Sequence, residues 1–370
     1  MPEATHPVPV PVPLDRIFGH DAAIGQLTRA LAADRLHHAW VFHGPAGVGK
    51  MTTALAFAAL ALDPTTVPGL DGRLAPEPQS RCQQLLAAGS HPDLHVVTKE
   101  LARFSEDAKV RAAKLATIPK DVVETHLLRP AALMPKLDLG GAVSKVFIVD
   151  EAELLDRSPT NAPVQNAVLK TLEEPPPGTL IVLVTSAEER LLPTIRSRCQ
   201  RARFARLDER AMAAWLETAD LTSQQRAWAL AHGRGAPGAV LQAVATGLDR
   251  WREALEPMIL SALGGRLPVQ LGASMAELVG AWSSAVVEGD KTASKDAANR
   301  AGASHMLAMV ADVITGAMRQ SPPQDAARLA ERLEAIAATQ ARLGANVNQQ
   351  MAFAALASEL AYPRRTVSSV

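Results

Sequence analysis

The sequence predicts an α/β protein: a doubly wound parallel sheet carrying a phosphate loop, then a small helical lid and a longer all-helical C-terminal region. Three observations lead there. Short apolar runs alternate with helical stretches from Trp40 to Phe204. The first run opens into GPAGVGKMTT at 44–53, which follows the G-x-x-x-x-G-K spacing of a phosphate-cradling loop. After Leu207 the strand-like runs cease and alanine-rich helical patterns continue to the end.

The expected strands are AWVFHG (39–44), DLHVVT (93–98), KVFIVD (145–150), TLIVLVTS (179–186) and ARFARL (202–207). KMTTALAFAALALD is apolar nearly all round and therefore a buried helix; NAPVQNAVLKTLEEPPPG is a second helix, stopped by three prolines. The charged stretch 99–120 reads as a solvated insertion. The expected boundaries are a proline-rich arm at 1–14, the sheet domain at 15–206, the helical lid at 207–248 and the helical C-terminal domain at 249–370.

At 370 residues there is ample chain for a buried core. Lys plus Arg equals Asp plus Glu, 38 each, so no overall basic field marks a nucleic-acid binder acting alone. Two cysteines do not make a disulfide scaffold. The N-terminal PVPVPVP reads as a polyproline-II arm rather than a secretory signal, and a cytoplasmic, non-membrane location is expected.

The loop raises the chemical question. Gly44, Gly47, Gly49 and Lys50 suit a cradle of backbone N–H groups at a helix N-terminus, but Met51 stands where a hydroxyl holds Mg²⁺. A thioether is a soft, weak acceptor and Mg²⁺ takes hard oxygen ligands. Thr52 does not replace it, because one step along a helix turns the side chain by about 100°. Methionine there is suited to filling the gap a metal would take. Asp150 and Glu151 end the third strand at the sheet's carboxyl edge, where one carboxylate can orient a metal's water shell and the other an attacking water. Without a metal the pair can instead cap Lys50.

The sequence VTSAEERLLPTIRSRC, with KTLEEPPPGT, HHAWVFHGPAGVGK and SHPDLHVV, resembles the clamp-loader family of the AAA+ ATPases over residues 15–245. The tail ANVNQQMAFAALASEL is more loosely similar to that family's helical collar, an oligomerisation domain. The resemblance implies that Ser197-Arg198-Cys199 offers Arg198 as an arginine finger to ATP bound by a neighbouring subunit. It also places Thr185 and Ser186 at the first sensor position, and a phosphate-sensing position of the lid at Gly238, whose hydrogen side chain contacts nothing.

With Met51 and Gly238 both lost to hydrolysis, the chain resembles a non-hydrolysing stator of the loader serving DNA polymerase III in DNA replication. Implied partners are gamma/tau and delta subunits in a hetero-pentamer and, indirectly, the sliding clamp and primed DNA. Backbone N–H groups and Lys50 could still hold ATP or ADP without turnover. The alternatives are a gamma/tau-like ATPase motor and a stand-alone P-loop kinase or helicase-like enzyme, in which the SRC triplet has no use. RSRCQRAR can also be read as a solvated basic edge.

The family's zinc module uses four cysteines, and this chain has only Cys82 there. Cys82 is expected to be packed, His91 and His95 to be surface or turn residues, and no zinc to be held.

Overall fold

A computed structural model describes residues 8–33, 35–69, 72–112, 117–137, 139–156, 160–289, 294–345 and 347–362. The first seven residues of the proline-rich arm lie outside them. Within the rest of the arm Val8 packs against the core, while Val10 is exposed. The chain divides into two compact units, Met1–Val240 and Leu241–Val370.

The first unit is built on five parallel strands: β1 (Ala39–His43), β2 (Leu94–Val97), β3 (Lys145–Val149), β4 (Thr179–Thr185) and β5 (Gln200–Arg203). Their order is β2-β3-β4-β1-β5. β3 and β4 are buried along their whole length, as parallel strands covered on both faces must be. Trp40, Phe42, Ile148 and Val182 meet helices α1 (Asp21–Ala32), α2 (Lys50–Leu62) and α3 (Arg81–Ala87) on one face. Val41, Phe147, Val149 and Leu183 turn to the other, where α4 (Pro163–Glu173) packs with Val168 and Leu172.

Two sequence expectations need correcting here. β5 begins at Gln200, two residues before ARFARL, because the ladder with β1 pairs Gln200 to Arg203 against Trp40 to His43. The stretch 99–120 is not a solvated insertion: Leu101, Ala102 and Ile118 are buried against the sheet. Its charges obscured three anchoring apolar residues. A two-residue hairpin, Val67–Pro68 with Leu74–Ala75, was not foreseen.

That hairpin lies in an excursion between α2 and α3, held by one carboxylate. Asp63, buried, accepts hydrogen bonds from Thr65 N (2.9 Å), Thr65 Oγ1 (2.7 Å), Ser80 Oγ (2.5 Å) and Gln83 Nε2 (2.9 Å). Burial pushes its pKa up, but these donors outweigh burial and hold it below the usual carboxylate value. A depressed pKa adds stability that is present above the unfolded value, about 3.9, and lost as pH falls through the folded one. Asp63→Asn should therefore lower stability by roughly 1–3 kcal/mol at neutral pH. Melting temperatures of variant and parent should converge in acid; parallel curves at every pH would refute the charge-based account.

The lid comprises α5 (Glu209–Thr218), α6 (Ser223–His232) and α7 (Pro237–Ala245). Asp208 caps α5, and Thr222 with Gln225 forms a capping box at α6. The second unit continues with α8 (Leu248–Leu263), α9 (Leu271–Gly289), α10 (Lys295–Gln320), α11 (Pro323–Gly344) and α12 (Gln349–Ala361). By length and composition alone α10 could cross a membrane, yet Met306, Val310 and Ile314 lie in the unit's apolar core.

Candidate functional site

The glycine-rich loop leaves β1 at the carboxyl edge of the sheet and ends in α2. Gly44, Gly47 and Gly49 all take positive φ (145°, 73° and 106°). Gly44 and Gly47 also have no room for a side chain. An added Cβ at Gly44 would lie 2.0 Å from the carbonyl oxygen of Phe204, and one at Gly47 would lie 2.8 Å from the Ala239 nitrogen. From outside the loop, His20 donates through Nε2 to Val48 O at 2.7 Å, and its ring sits edge-on to Phe204. Burial lowers the His20 pKa and favours the neutral ring.

Lys50 is buried and turned back on the loop. Its ammonium donates to Gly44 O (2.7 Å), Pro45 O (2.6 Å) and Ser186 Oγ (3.1 Å). Three donors meet three acceptors, so an incoming phosphate must displace some of these bonds. Burial lowers the lysine pKa, opposed by Glu153 and Asp150. Asp150 is shifted up by burial, with Glu151 and Glu153 adding and the Glu151 amide and Lys50 opposing. Both groups are moved toward neutrality, as expected of charges kept from water.

Glu151 does not face the loop lysine. It adopts a left-handed backbone (φ 48°, ψ 46°), and its carboxylate pairs with Lys99 at 2.6 Å. The carboxylate beside the loop is Glu153, unnoticed in the sequence although it follows directly in KVFIVDEAELL. Glu153 Oε1 accepts from Ser186 N at 3.1 Å. Thr185 is buried, and its Oγ1 accepts from Ala187 N at 3.1 Å. The strand-end hydroxyls thus shape the turn and hold Lys50. Met51 is half-buried and packs against the sheet core, Thr52 is exposed, and Thr53 Oγ1 donates to Gly49 O at 2.9 Å.

Gly238 has no side chain to offer a phosphate, but its backbone meets the loop. Its N–H donates to Gly47 O at 2.7 Å, and a Cβ there would lie 2.9 Å from the Gly47 Cα. Side-chain reasoning could not find this, since the contact is backbone on backbone.

His91 stands in a turn as expected, its carbonyl oxygen accepting from Leu94 N at 3.3 Å, whereas His95 lies in a strand and not in a turn. His91 is buried and accepts from Asp93 N through Nδ1, and His95 in β2 stacks on Phe147 at 4.7 Å, its pKa pushed down by burial to about 4. Cys82 is buried in the core and its thiol is pushed up to about 12. Among the described residues no group of three metal-ligating side chains occurs.

Arg198 lies behind the short helix Pro193–Arg196, between buried Ile195 and the partly buried Cys199. Its guanidinium donates from Nη1 to Thr194 O (3.0 Å) and from Nη2 to Glu173 Oε1 (2.7 Å), with 37 % of the side chain exposed. The fit to a nucleotide is divided: the loop amides, Lys50 and Ser186 suit a polyphosphate, but Met51 and the Lys99-bound Glu151 do not supply Mg²⁺ or an attacking water.

A glycine-rich loop between β1 and α2, acidic residues just after β3 and the strand order β2-β3-β4-β1-β5 define a P-loop protein of AAA+ type. The sequence model of the family described as DNA polymerase III, delta subunit, matches residues 19–208, more than half the chain, and the chain belongs to that family. The DNA polymerase III subunit delta' of Pseudomonas aeruginosa is 35 % identical over 162 residues, 44 % of this chain and 41 % of the relative. The Escherichia coli subunit delta' is 32 % identical over 227 residues, 58 % and 57 %. The Mycobacterium tuberculosis subunit gamma/tau is 29 % identical over 209 residues, 56 % and 31 %. The chain spans about half the length of the delta' relatives it matches. A gamma subunit-related protein of Thermotoga maritima superposes with a TM-score of 0.45 at 16 % identity, over 92 % of this chain and 98 % of that one.

Proposed function

We propose that this chain is a delta-prime-type stator of the DNA polymerase III clamp loader. It does not hydrolyse ATP itself but supplies Arg198 to ATP held by an adjoining gamma/tau subunit during loading of the sliding clamp on primed DNA. The observation that carries the reading is the part-exposed Arg198 on a rigid base, in the same chain as a loop whose metal position is Met51. An arginine at the γ-phosphate neutralises charge developing in the transition state. What this chain would hold in its own loop is ATP or ADP, by the loop amides and Lys50, without turnover. Its partners on this reading are gamma/tau and delta subunits in a hetero-pentamer in the cytoplasm.

The test is turnover by the purified chain. With Mg²⁺ and ATP it should show no hydrolysis above a Lys50→Ala background; a rate like that of a working motor would sink the proposal. Met51→Thr should not start hydrolysis either, because Glu151 stays paired with Lys99 and Gly238 still covers Gly47. A gain of more than tenfold in Met51→Thr would place the defect in that residue alone. The second reading, a gamma/tau-like motor, draws on the similarity to gamma/tau subunits and meets the same assay. Zero net charge implies weak duplex binding by the isolated chain with a shallow salt dependence.

A further inference from the structure

Glu173 is the last residue of α4. The following Glu174 leaves the helical region (φ −126°, ψ 69°), which is disfavoured for a residue before proline, so Pro175 fixes where the helix stops. A carboxylate at a helix C-terminus faces the negative end of the macrodipole, an unfavourable place that invites a cation. Arg198 supplies it at 2.7 Å, while the Thr194 carbonyl takes its other terminal nitrogen. Ile195 and Cys199 anchor the backbone on either side. The guanidinium is therefore held by an anion of its own chain in a fixed pose at the surface.

We propose that Glu173 is a positioning residue that acts as an intramolecular placeholder for the phosphate Arg198 meets in the neighbouring subunit. The inference rests on the trans-acting role proposed above and adds its regulation. Glu173 keeps the finger neutralised and oriented, and releases it only when a more highly charged anion is presented. A phosphate oxygen group competes well because it carries more charge and accepts from the same planar fork. A half-exposed pair is weak, so exchange needs no unfolding and its threshold is small.

The experiment compares Glu173→Gln, Arg198→Ala and the double variant in complexes assembled with gamma/tau-type and delta-type subunits, reading ATP turnover at the adjoining site. Glu173→Gln keeps an acceptor but removes the charge, and should lower the apparent KM for ATP by roughly two- to fivefold, the range of an exposed ion pair, with kcat unchanged. In the Arg198→Ala background the same substitution should change nothing. Glu173→Asp, which restores the charge, should return KM toward the parent value.

An unchanged or raised KM in Glu173→Gln, while Arg198→Ala still lowers kcat, overturns the placeholder and leaves the finger standing. If Arg198→Ala has no effect, the trans-acting reading itself fails. A KM change that persists without Arg198 would show that Glu173 acts by another route and also overturns the proposal. Melting temperature and assembly of Glu173→Gln should match the parent, separating placement from loss of fold.

Discussion

Replacing Arg198 by alanine should leave this chain folded and assembled while ATP turnover at the adjoining motor site falls by roughly 10³ to 10⁵, the effect of an arginine placed on a transferring phosphoryl group. The residue is part-exposed, and its bonds are to one carbonyl and one half-exposed carboxylate, so little folding stability is at stake. Lysine should rescue poorly, because a point charge does not reproduce the planar fork that now spans Thr194 and Glu173. The measurement must isolate one site, since other motor sites in a complex would mask the loss; complexes whose remaining loop lysines are disabled meet that need. Arg196 is a poor control because it is half-buried. Arg203, exposed on β5, serves better, and Arg203→Ala should leave turnover unchanged. Equal losses in both variants would mean that the basic run acts as a diffuse surface charge.

What the sequence disclosed and what it hid divide along physical lines. Strands β1, β3 and β4 were legible because a strand buried on both faces is a continuous apolar run, and α2 because it is apolar all round. β5 was placed late because only Ala202 among its four residues is buried. The loop glycines, Lys50 and Met51 could be read from spacing, since a phosphate loop is local in sequence. Partners that converge from a distance could not. Lys99 reaches Glu151 across 52 positions, Glu153 meets Ser186, and Glu173 meets Arg198. Each is a charge or hydroxyl whose role depends on which strand lies beside which. The Gly47–Gly238 contact was least visible, because it involves no side chain.

That contact bears on nucleotide affinity. The amide of Gly238 is spent on Gly47 O, and Lys50 is spent on two loop carbonyls and Ser186. Any phosphate in the loop competes with bonds the protein already makes to itself. The self-satisfied lysine thus points toward a loop that supports structure whether or not it holds a ligand.

The strongest expression of that structural role is Gly44. An alanine there should lower stability by about 3 kcal/mol or more, summing a left-handed backbone strain of about 1–3 kcal/mol and a similar overpacking cost. Its Cβ would lie 2.0 Å from Phe204 O and 2.9 Å from the carbonyl carbon, backbone atoms that no rotamer change can move. Nor can the backbone of Phe204 retreat freely. Its N–H donates to His43 O at 2.8 Å, and its ring, fully buried, lies 5.1 Å from Phe42 and 4.9 Å from His20. At roughly 2–4 °C per kcal/mol for a unit of this size, the melting transition should fall by about 10 °C. Gly47→Ala, whose added atom meets the Ala239 nitrogen instead, should strain the lid contact and leave the β1–β5 ladder in place, so its amides in that ladder should keep their hydrogen-exchange protection. A fall below 3 °C in Gly44→Ala would mean the loop shifts without cost. A large fall, measured without nucleotide, would show that Gly44 is required by the junction of two strands. The glycine-rich spacing would then have a physical reason in this chain that is independent of phosphate.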